Sequence, residues 1–216
     1  MWRQSGSHRR LLLPGNNELV NGFRRNFKLS PANDARLWRR KQLCLGWKDI
    51  ESQQIRFKAL AGIANLGGCS ILDAGCGYGD LLPYLSALYD DITYIGIEQI
   101  PELLKTAAAK HRASPTTTFV YGNFIKYMLP AVDYVFASGS LNYQATDADF
   151  IFKAIDKLYA ACNYGFAFNL LSYIVPNGLL VAYNSNEIIS YCRSKCAEVK
   201  LVNNYDPGDF TVYMYR

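Results

Sequence analysis

Residues Ser70 to Ser86 read SILDAGCGYGDLLPYLS, a strand-like apolar run that leads through three glycines into a helix-like run. The glycines, Gly75, Gly77 and Gly79, lie within five residues of one another. Glycine lets the backbone pass close beneath a ligand because no Cβ stands in the way. In an open α/β sheet, the turn after the first strand contributes to a ligand site at the carboxyl ends of the strands. This segment therefore predicts the first strand of such a sheet and its binding turn.

Strand-like and helix-like segments alternate around this turn. Strands are predicted at 70–74, 92–97, 117–122, 132–138, 165–172, 198–205 and 210–216, and helices at 33–44, 49–65, 79–89, 101–112, 146–163 and 184–196. Such alternation is typical of a mostly parallel sheet with helices on both faces. Only DPGD, residues 206–209, separates the last two strands, which is too short for a parallel crossover. We therefore predict a seven-stranded α/β fold, Rossmann-like, that ends in an antiparallel hairpin.

Composition indicates one large globular domain. The chain has 216 residues, of which 50% are hydrophobic and 19% are charged, and this length suffices for a substantial core. No window approaches the roughly 18 to 20 apolar residues of a membrane span, so we expect neither an anchor nor a signal peptide, and a cytoplasmic location. The six cysteines are scattered without a CxxC motif, which predicts reduced thiols and no metal site.

Charge is distributed unevenly along the chain. Residues 1–41 hold ten of the 23 Lys and Arg and two of the 18 acids, a net charge of about +8, and the remainder carries about −3. We predict a basic N-terminal arm with lid helices at 1–44 and a ligand-binding domain at 45–216. A basic arm can bind RNA or another polyanion, but a solvated helix face is the commoner explanation, and no RNA-binding signature accompanies it.

A second binding signal is Glu98, which ends the second predicted strand, nineteen residues after Gly79. A carboxylate at this position has two oxygens to accept hydrogen bonds from vicinal ribose hydroxyls. The spacing Gly75-x-Gly77-x-Gly79 departs from the dinucleotide fingerprint G-x-G-x-x-G. Asp73 adds a negative charge beside the turn, so a nucleoside with a cationic or amino group fits better than a pyrophosphate.

Together with YGNF (121–124) and ASGSLNY (137–143), these signals resemble the class I S-adenosylmethionine-dependent methyltransferases over about residues 45–216. The resemblance implies that S-adenosylmethionine is the cofactor, that Asp73 and the glycine turn contact its methionyl part, and that Glu98 binds its ribose. Asn123 stands where many members have Asp, and its carbonyl can still accept the adenine amino proton. The remaining implied cofactor contacts are Gln99, Phe124 and Ser138.

A narrower similarity links five segments to small bacterial methyltransferase-like proteins of the same class. These segments are ESQQIRF (51–57), GCGYGDL (75–81), ASGSLN (137–142), AFNLLS (167–172) and DFTVYMYR (209–216). The similarity implies that the N-terminal helices close over the cofactor, with Trp47 and Arg56 as contacts. Arg56 can pair with the methionyl carboxylate, although a surface arginine explains the residue equally well.

Methyl transfer mainly requires an aligned nucleophile and the exclusion of water, because the sulfonium already activates the methyl group. Neither His8 nor His111 is expected near the pocket, so no histidine base is predicted. The rim after the fourth and fifth strands is polar and aromatic instead. The candidates for aligning the reacting atoms are Ser140, Asn142, Tyr143 and Tyr173.

The predicted activity is methyl transfer to a small molecule. A second hypothesis is attack on the γ-carbon of the cofactor by its own amino group, which releases methylthioadenosine and yields azetidine-2-carboxylate. RNA or protein methylation and a non-catalytic, cofactor-binding protein are further alternatives. The basic arm keeps RNA or another polyanion among the candidate partners.

Overall fold

The structure is a computed structural model and describes residues 50–174 and 179–216. The predicted arm at 1–44, its helix at 33–44 and the candidate contact Trp47 lie outside these residues. Within them, the helices are α1 (Ile50–Ala61), α2 (Leu81–Ser86), α3 (Pro101–Lys110), α4 (Phe150–Ala161) and α5 (Ser185–Arg193). The strands are β1 (Ser70–Ala74), β2 (Thr93–Glu98), β3 (Thr117–Tyr121), β4 (Val132–Ala137), β5 (Cys162–Leu171), β6 (Glu198–Val202) and β7 (Asp209–Tyr215).

The strands form one seven-stranded sheet in the order β3-β2-β1-β4-β5-β7-β6. Strands β1 to β5 pair in parallel, and β7 lies antiparallel between β5 and β6. The predicted seven-stranded fold with a C-terminal antiparallel hairpin is therefore confirmed. The winding reverses between β1 and β4, and this reversal opens a crevice at the carboxyl ends of the strands, where α/β sheets bind ligands.

Apolar side chains cover both faces of the sheet. Successive residues of a strand point to opposite faces, so Ile71 joins the core beneath α1 and α2, whereas Leu72 joins the core beneath α4 and α5. In β4, Val135 and Phe136 divide in the same way. Burial on both sides explains why the central strands are continuous hydrophobic runs in the sequence.

Local signals set the starts of two helices. Pro101 occupies the first turn of α3, where its fixed φ suits a helix and its missing N–H has no helical partner to lose. At α5, the Asn184 side chain accepts a hydrogen bond from the Asn186 N–H at 2.9 Å, a typical N-cap.

Strand β5 begins at Cys162, directly after α4 and three residues before its predicted start. The extension pairs Cys162 with Val132, across an irregularity in the β4–β5 register. Asn163 and Tyr164 are exposed, so this part of the strand lacks the apolar pattern by which strands are predicted. Main-chain pairing and the buried Cys162 side chain extend β5 at this end.

The described residues contain no disulfide, no cluster of metal ligands and no membrane-spanning helix. The cysteines there are free thiols, namely Cys69, Cys76, Cys162, Cys192 and Cys196. No group of His, Cys, Asp or Glu in the same residues could hold a metal ion. None of the described helices has the length and apolarity needed to cross a bilayer.

The packing of α2 gives a matched pair of substitutions. Leu85 of α2 is fully buried, and Leu88, two residues after the end of α2, is 55% exposed. Leu85→Ala should lower the free energy of unfolding by about 2 to 5 kcal/mol because it leaves a cavity, and Leu88→Ala should change it by no more than about 0.5 kcal/mol. Urea denaturation measures both values. Equal effects would contradict the described packing of α2 on the sheet.

Candidate active site

The turn between β1 and α2 has the backbone conformation that glycine favours. The φ angles of Gly75, Gly77 and Gly79 are +79°, +56° and +70°, a region that other residues rarely adopt. A Cβ on Gly75 would also collide with the side chain of Ser140. A Cβ on Gly79 would lie 3.0 Å from the Phe119 ring. Both glycines are therefore required by packing within the protein, apart from any ligand.

His111 lies against this turn, so the expectation that it is remote from the site is wrong. Its ring would be 3.2 Å from a Cβ on Gly79 and stacks on Phe119 at a centroid distance of 5.8 Å. Helix α3 ends at Lys110, whose ion pair with Asp80 ties the end of the helix to the turn. Burial lowers the pKa of His111. The neutral ring thus supports the glycine turn from its β3 side.

Asp73, at the carboxyl end of β1, is a buried carboxylate with one unsatisfied oxygen. Its Oδ2 accepts a hydrogen bond from the Tyr94 hydroxyl, and its Oδ1 is buried without a hydrogen-bond partner among the described residues. Burial raises the pKa of Asp73 to about 7, the Tyr94 hydrogen bond opposes this rise, and the charges of Glu98 and Asp80 add to it. An unsatisfied buried acceptor of this kind fits a cationic or amino group on a ligand.

Glu98, at the end of β2, is held in one orientation by the backbone. It is 6% exposed, and its two oxygens accept hydrogen bonds from the N–H groups of Gly77 and Ile100, each at 2.9 Å. Burial raises the pKa of Glu98, and these backbone bonds lower it. The Gln99 N–H is a third backbone donor to this carboxylate. A carboxylate has about four acceptor positions, so Glu98 keeps acceptor capacity for a ribose hydroxyl.

Asn123 and Gln99 connect the ends of β3 and β2. The Asn123 Nδ2 donates to Gln99 Oε1 at 2.8 Å, and its Oδ1 accepts from the Ile125 N–H at 2.9 Å. The predicted adenine contact is therefore limited to the remaining acceptor position of Oδ1. Phe124, the next residue, borders the glycine turn, since its ring would lie 3.8 Å from a Cβ on Gly75.

Asn142 and Ser140 have structural roles that the sequence does not reveal. Asn142 is 4% exposed, and its Oδ1 accepts a hydrogen bond from the Leu171 N–H at 2.9 Å. Asn142 was expected on the polar rim, but its side chain is buried and holds the end of β5, and its role in aligning the reacting atoms stays a prediction. The Ser140 hydroxyl donates to the Ala74 carbonyl at 2.5 Å and so closes the end of β1.

The two tyrosine candidates lie in different environments. Burial raises the pKa of Tyr143 to about 12, and the charge of Glu98 contributes to this rise. The Tyr143 hydroxyl is therefore neutral and lies within electrostatic reach of Glu98. Tyr173 is 70% exposed, so the structure does not bring its side chain together with the buried groups of the site.

Comparison with known proteins agrees with this geometry. A family model described as a methyltransferase domain matches residues 71–165. A Mycobacterium tuberculosis protein, provisionally named a methyltransferase, is 31% identical over 157 residues, which cover 68% of this chain and 93% of that protein. The chain belongs to the class I S-adenosylmethionine-dependent methyltransferases. The donor that the methyltransferase uses, S-adenosylmethionine, supplies a methyl group activated by its sulfonium.

Solved methyltransferases with different substrates share the fold at low sequence identity. Magnesium protoporphyrin IX methyltransferase from Synechocystis, with bound S-adenosylmethionine, is 16% identical, with a TM-score of 0.61 over 93% of this chain and 92% of that one. A small RNA methyltransferase is 14% identical, with a TM-score of 0.63 over 88% of this chain and 27% of that one. The fold is thus common to enzymes with a small-molecule and an RNA substrate, and it does not identify the acceptor.

The methyltransferase contains a buried series of polar side chains, which we call the polar chain, on the β4–β5–β7 side of the crevice. Asn169 Nδ2 donates to Thr211 Oγ1 at 2.5 Å, and Thr211 Oγ1 lies 2.8 Å from the Tyr205 hydroxyl. The Tyr205 hydroxyl donates to Asp209 Oδ1 at 2.8 Å. At the other end, Ser138 Oγ donates to Asn169 Oδ1 at 3.3 Å.

Sequence reasoning missed the β6–β7 part of the polar chain. The available signal was the placement of Asp209 and Thr211 at alternate positions of an otherwise apolar strand, which puts both on one face of β7. Both residues are buried, with exposures of 3% and 0%. Buried polar groups on one strand face imply hydrogen-bond partners, and here those partners are Tyr205 and Asn169.

Arg56 joins helix α1 to the polar chain. Its Nε forms an ion pair with Asp209 Oδ2, and the two side chains are 14% and 1% exposed. The structure therefore gives Arg56 a protein partner, and its contact with the methionyl carboxylate stays a prediction. Burial raises the pKa of Asp209, and the Arg56 charge opposes that rise.

The role of Glu98 is testable by a substitution that preserves its size. Glu98→Gln turns one acceptor oxygen into a donor, which then faces a backbone N–H or a ribose hydroxyl. We expect the affinity for S-adenosylhomocysteine to fall about 30- to 1,000-fold. Calorimetry measures the affinity, thermal unfolding checks the fold, and Glu102→Gln on the exposed side of α3 is the control. An unchanged dissociation constant would remove Glu98 from the site.

The raised pKa of Asp73 predicts a pH-dependent cofactor affinity. Below its pKa of about 7, Asp73 carries a proton that must leave before the carboxylate can face a cationic ligand, so affinity should rise as the pH passes through 7. Tyr94→Phe removes the hydrogen bond that lowers this pKa, so the midpoint should move upward. The effect on folding has the opposite sign. Without cofactor, the free energy of unfolding falls as the pH rises from about 4 to 7, because Asp73 is protonated in the folded state and ionised in the unfolded state over this range.

Calorimetry over a pH range of about 5.5 to 8.5 measures this dependence. Asp73→Asn is the control, since its amide does not titrate and its affinity should not show the Asp73 transition. A wild-type affinity that is constant across the range, or a midpoint unaffected by Tyr94→Phe, would contradict this role of Asp73.

Proposed function

We propose that this methyltransferase acts on a small molecule that is neutral or positively charged. The observation that carries the proposal is the charge of the loops after β4, β5 and β6, which lie at the carboxyl edge of the sheet. Residues 138–149, 172–184 and 203–208 contain no Lys, Arg or His, but they contain Asp147, Asp149 and Asp206. Nucleic acids bind mainly through Lys and Arg contacts to phosphate, so these loops disfavour a polyanionic acceptor.

Two cations of the described residues that lie beside these loops are paired with carboxylates. Lys153 of α4 forms an ion pair with Asp147, and Arg56 of α1 forms one with Asp209. The charge of these loops therefore remains acidic when Lys153 and Arg56 are included. A molecule without phosphate or carboxylate groups meets no charge repulsion there.

On this proposal, the cofactor lies across the β1–β3 half of the crevice. Asp73 and the turn of Gly75, Gly77 and Gly79 hold its methionyl part, and Glu98 receives the ribose hydroxyls. The unsatisfied Asp73 Oδ1 and the oriented Glu98 carboxylate support this placement. The adenine contacts are Gln99, Asn123 and Phe124. Ser138 and Tyr143 then lie between cofactor and acceptor, where they orient the reacting groups.

RNA is the second candidate acceptor, because the arm at residues 1–44 is strongly basic. Its first 41 residues hold ten of the 23 Lys and Arg of the whole chain, which is typical of segments that bind phosphate backbones. The arm would then deliver the RNA to a crevice whose own loops supply no cation. We place this candidate second for that reason.

Incubation with methyl-labelled cofactor separates the candidates. The full-length protein is mixed with labelled S-adenosylmethionine and, in parallel, with the dialysable small molecules of a cell extract, total RNA, total protein, or no acceptor. We expect label only in the small-molecule fraction, with formation of S-adenosylhomocysteine. The Glu98→Gln variant serves as the background control.

Other outcomes would overturn the small-molecule proposal. Label in RNA that is lost with Arg39→Glu and Arg40→Glu in the arm would establish RNA methylation instead. Methylthioadenosine formed from the cofactor alone would establish attack on the γ-carbon. Neither labelled product nor cofactor consumption, with cofactor binding intact, would indicate a non-catalytic protein.

A further inference from the structure

We propose that Asp209, acting through the hydroxyl of Tyr205, takes the proton that the acceptor's O–H or N–H group loses on methylation. This inference rests on the proposed small-molecule function and names the chemistry of its acceptor. The loops at the carboxyl edge of the sheet contain no histidine, so a proton acceptor on this side must come from other groups. The polar chain supplies one.

The hydrogen bonds that link Asn169 to Asp209 are all donated in the direction of Asp209. The Asn169 Nδ2 can only donate, so Thr211 Oγ1 accepts at 2.5 Å. The Thr211 hydroxyl is then left to donate to the Tyr205 oxygen at 2.8 Å. A carboxylate can only accept, so the Tyr205 hydrogen is directed to Asp209 Oδ1 at 2.8 Å.

Tyr205 is the least buried of the residues that connect Asn169 to Asp209. Asn169 and Thr211 are fully buried and Asp209 is 3% exposed, whereas Tyr205 is half-buried. Its oxygen donates to Asp209 and receives hydrogen bonds from Thr211 and Asn169. On the proposed path, the hydrogen of the nucleophile takes the place of the Asn169 donor, which keeps Thr211 as its partner. Tyr205 would therefore be the catalytic residue in contact with substrate, and Asp209 would act through it.

The surroundings of Asp209 suit a temporary proton acceptor. Its Oδ2 is paired with Arg56 of α1, and Asp206 on the same loop contributes a second negative charge nearby. Burial and Asp206 raise the pKa of the carboxyl, while Arg56 and the Tyr205 hydrogen bond lower it. Burial also raises the pKa of Tyr205, so the phenol stays protonated and gives up its hydrogen only as it receives another.

In the proposed step, the nucleophile loses its proton as it receives the methyl group. The nucleophilic oxygen or nitrogen forms a bond to the methyl carbon, and the bond from that carbon to sulfur breaks with its electron pair left on sulfur. The hydrogen of the nucleophile moves to the Tyr205 oxygen while the Tyr205 hydrogen moves to Asp209 Oδ1. The neutral Asp209 then returns the proton to water, which restores its ion pair with Arg56.

Probes with and without a proton to lose test the inference. Phenol and phenethylamine must lose a proton on methylation, whereas thiophenol reacts as the thiolate that predominates near neutral pH. With the full-length protein, Tyr205→Phe should lower kcat for phenol and phenethylamine about 100-fold or more and change thiophenol turnover by less than about threefold. KM should change little for any probe.

A pH profile and a matched tyrosine complete the test. At saturating cofactor, which removes the Asp73 contribution, the rise of kcat/KM for phenol with pH that reports deprotonation of Asp209 should be lost in Asp209→Asn. Tyr183→Phe is the control, because the Tyr183 hydroxyl also lies on this side, donating to the Leu141 carbonyl at 3.2 Å, but does not belong to the polar chain. Tyr183→Phe should leave the turnover of all three probes unchanged. Tyr205→Phe keeps the Arg56–Asp209 pair, and thermal unfolding verifies that the variants fold.

The remaining outcomes overturn the inference. Equal losses of kcat for phenol and thiophenol in Tyr205→Phe would show that Tyr205 has a purely structural role. Unchanged kcat values would show that Tyr205 has no role in the reaction. If the wild-type protein methylates thiophenol but neither phenol nor phenethylamine, the proton path is overturned. The proposal of small-molecule methylation is then retained. Turnover of no probe, with cofactor binding intact, would overturn the proton path and count against the proposed function as well.

Discussion

Backbone hydrogen bonds to the Glu98 carboxylate organise the cofactor half of this molecule. A buried carboxylate without a counter-ion is costly, and the N–H groups of Gly77 and Ile100 offset that cost. Because Gly77 belongs to the turn after β1 and Ile100 to the start of α3, the same bonds fix the turn relative to the second strand. The carboxylate is oriented before any ribose arrives, so binding does not have to order it.

The two halves of the crevice are built by different means. Around β1 and β2, the backbone shapes the site: glycines with positive φ bring the turn close to β4, and N–H groups hold the acid in place. Around β4, β5 and β7, side chains shape it, through the polar chain that ends at Asp209 and its ion pair with Arg56. A constant methyl donor suits the first arrangement. Side chains allow the acceptor side to differ among enzymes of one fold.

Buried acids serve distinct purposes because their partners differ. Asp73 has one satisfied oxygen and one without a donor, which leaves it responsive to a cationic ligand and to pH. Glu98 is satisfied by the backbone, and Asp209 by Arg56 and Tyr205. Burial raises the pKa of all three. The number and kind of donors around each carboxylate therefore separate a ligand contact from a proposed proton acceptor.

Features encoded by neighbouring residues were predictable from the sequence. The alternation of strands and helices, the short DPGD link of the hairpin, the glycine turn and the acid at the end of β2 depend on local pattern and on strand order, and the fold confirmed them. The bonds of Asn142 to Leu171 and of Arg56 to Asp209 join residues 29 and 153 positions apart. The contact of His111 with Gly79 and the polar chain likewise arise only when distant segments pack. Hydrophobic periodicity predicts which residues are buried. The partner of a buried polar side chain, and therefore its role, depends on how strands that are remote in the chain are arranged in three dimensions.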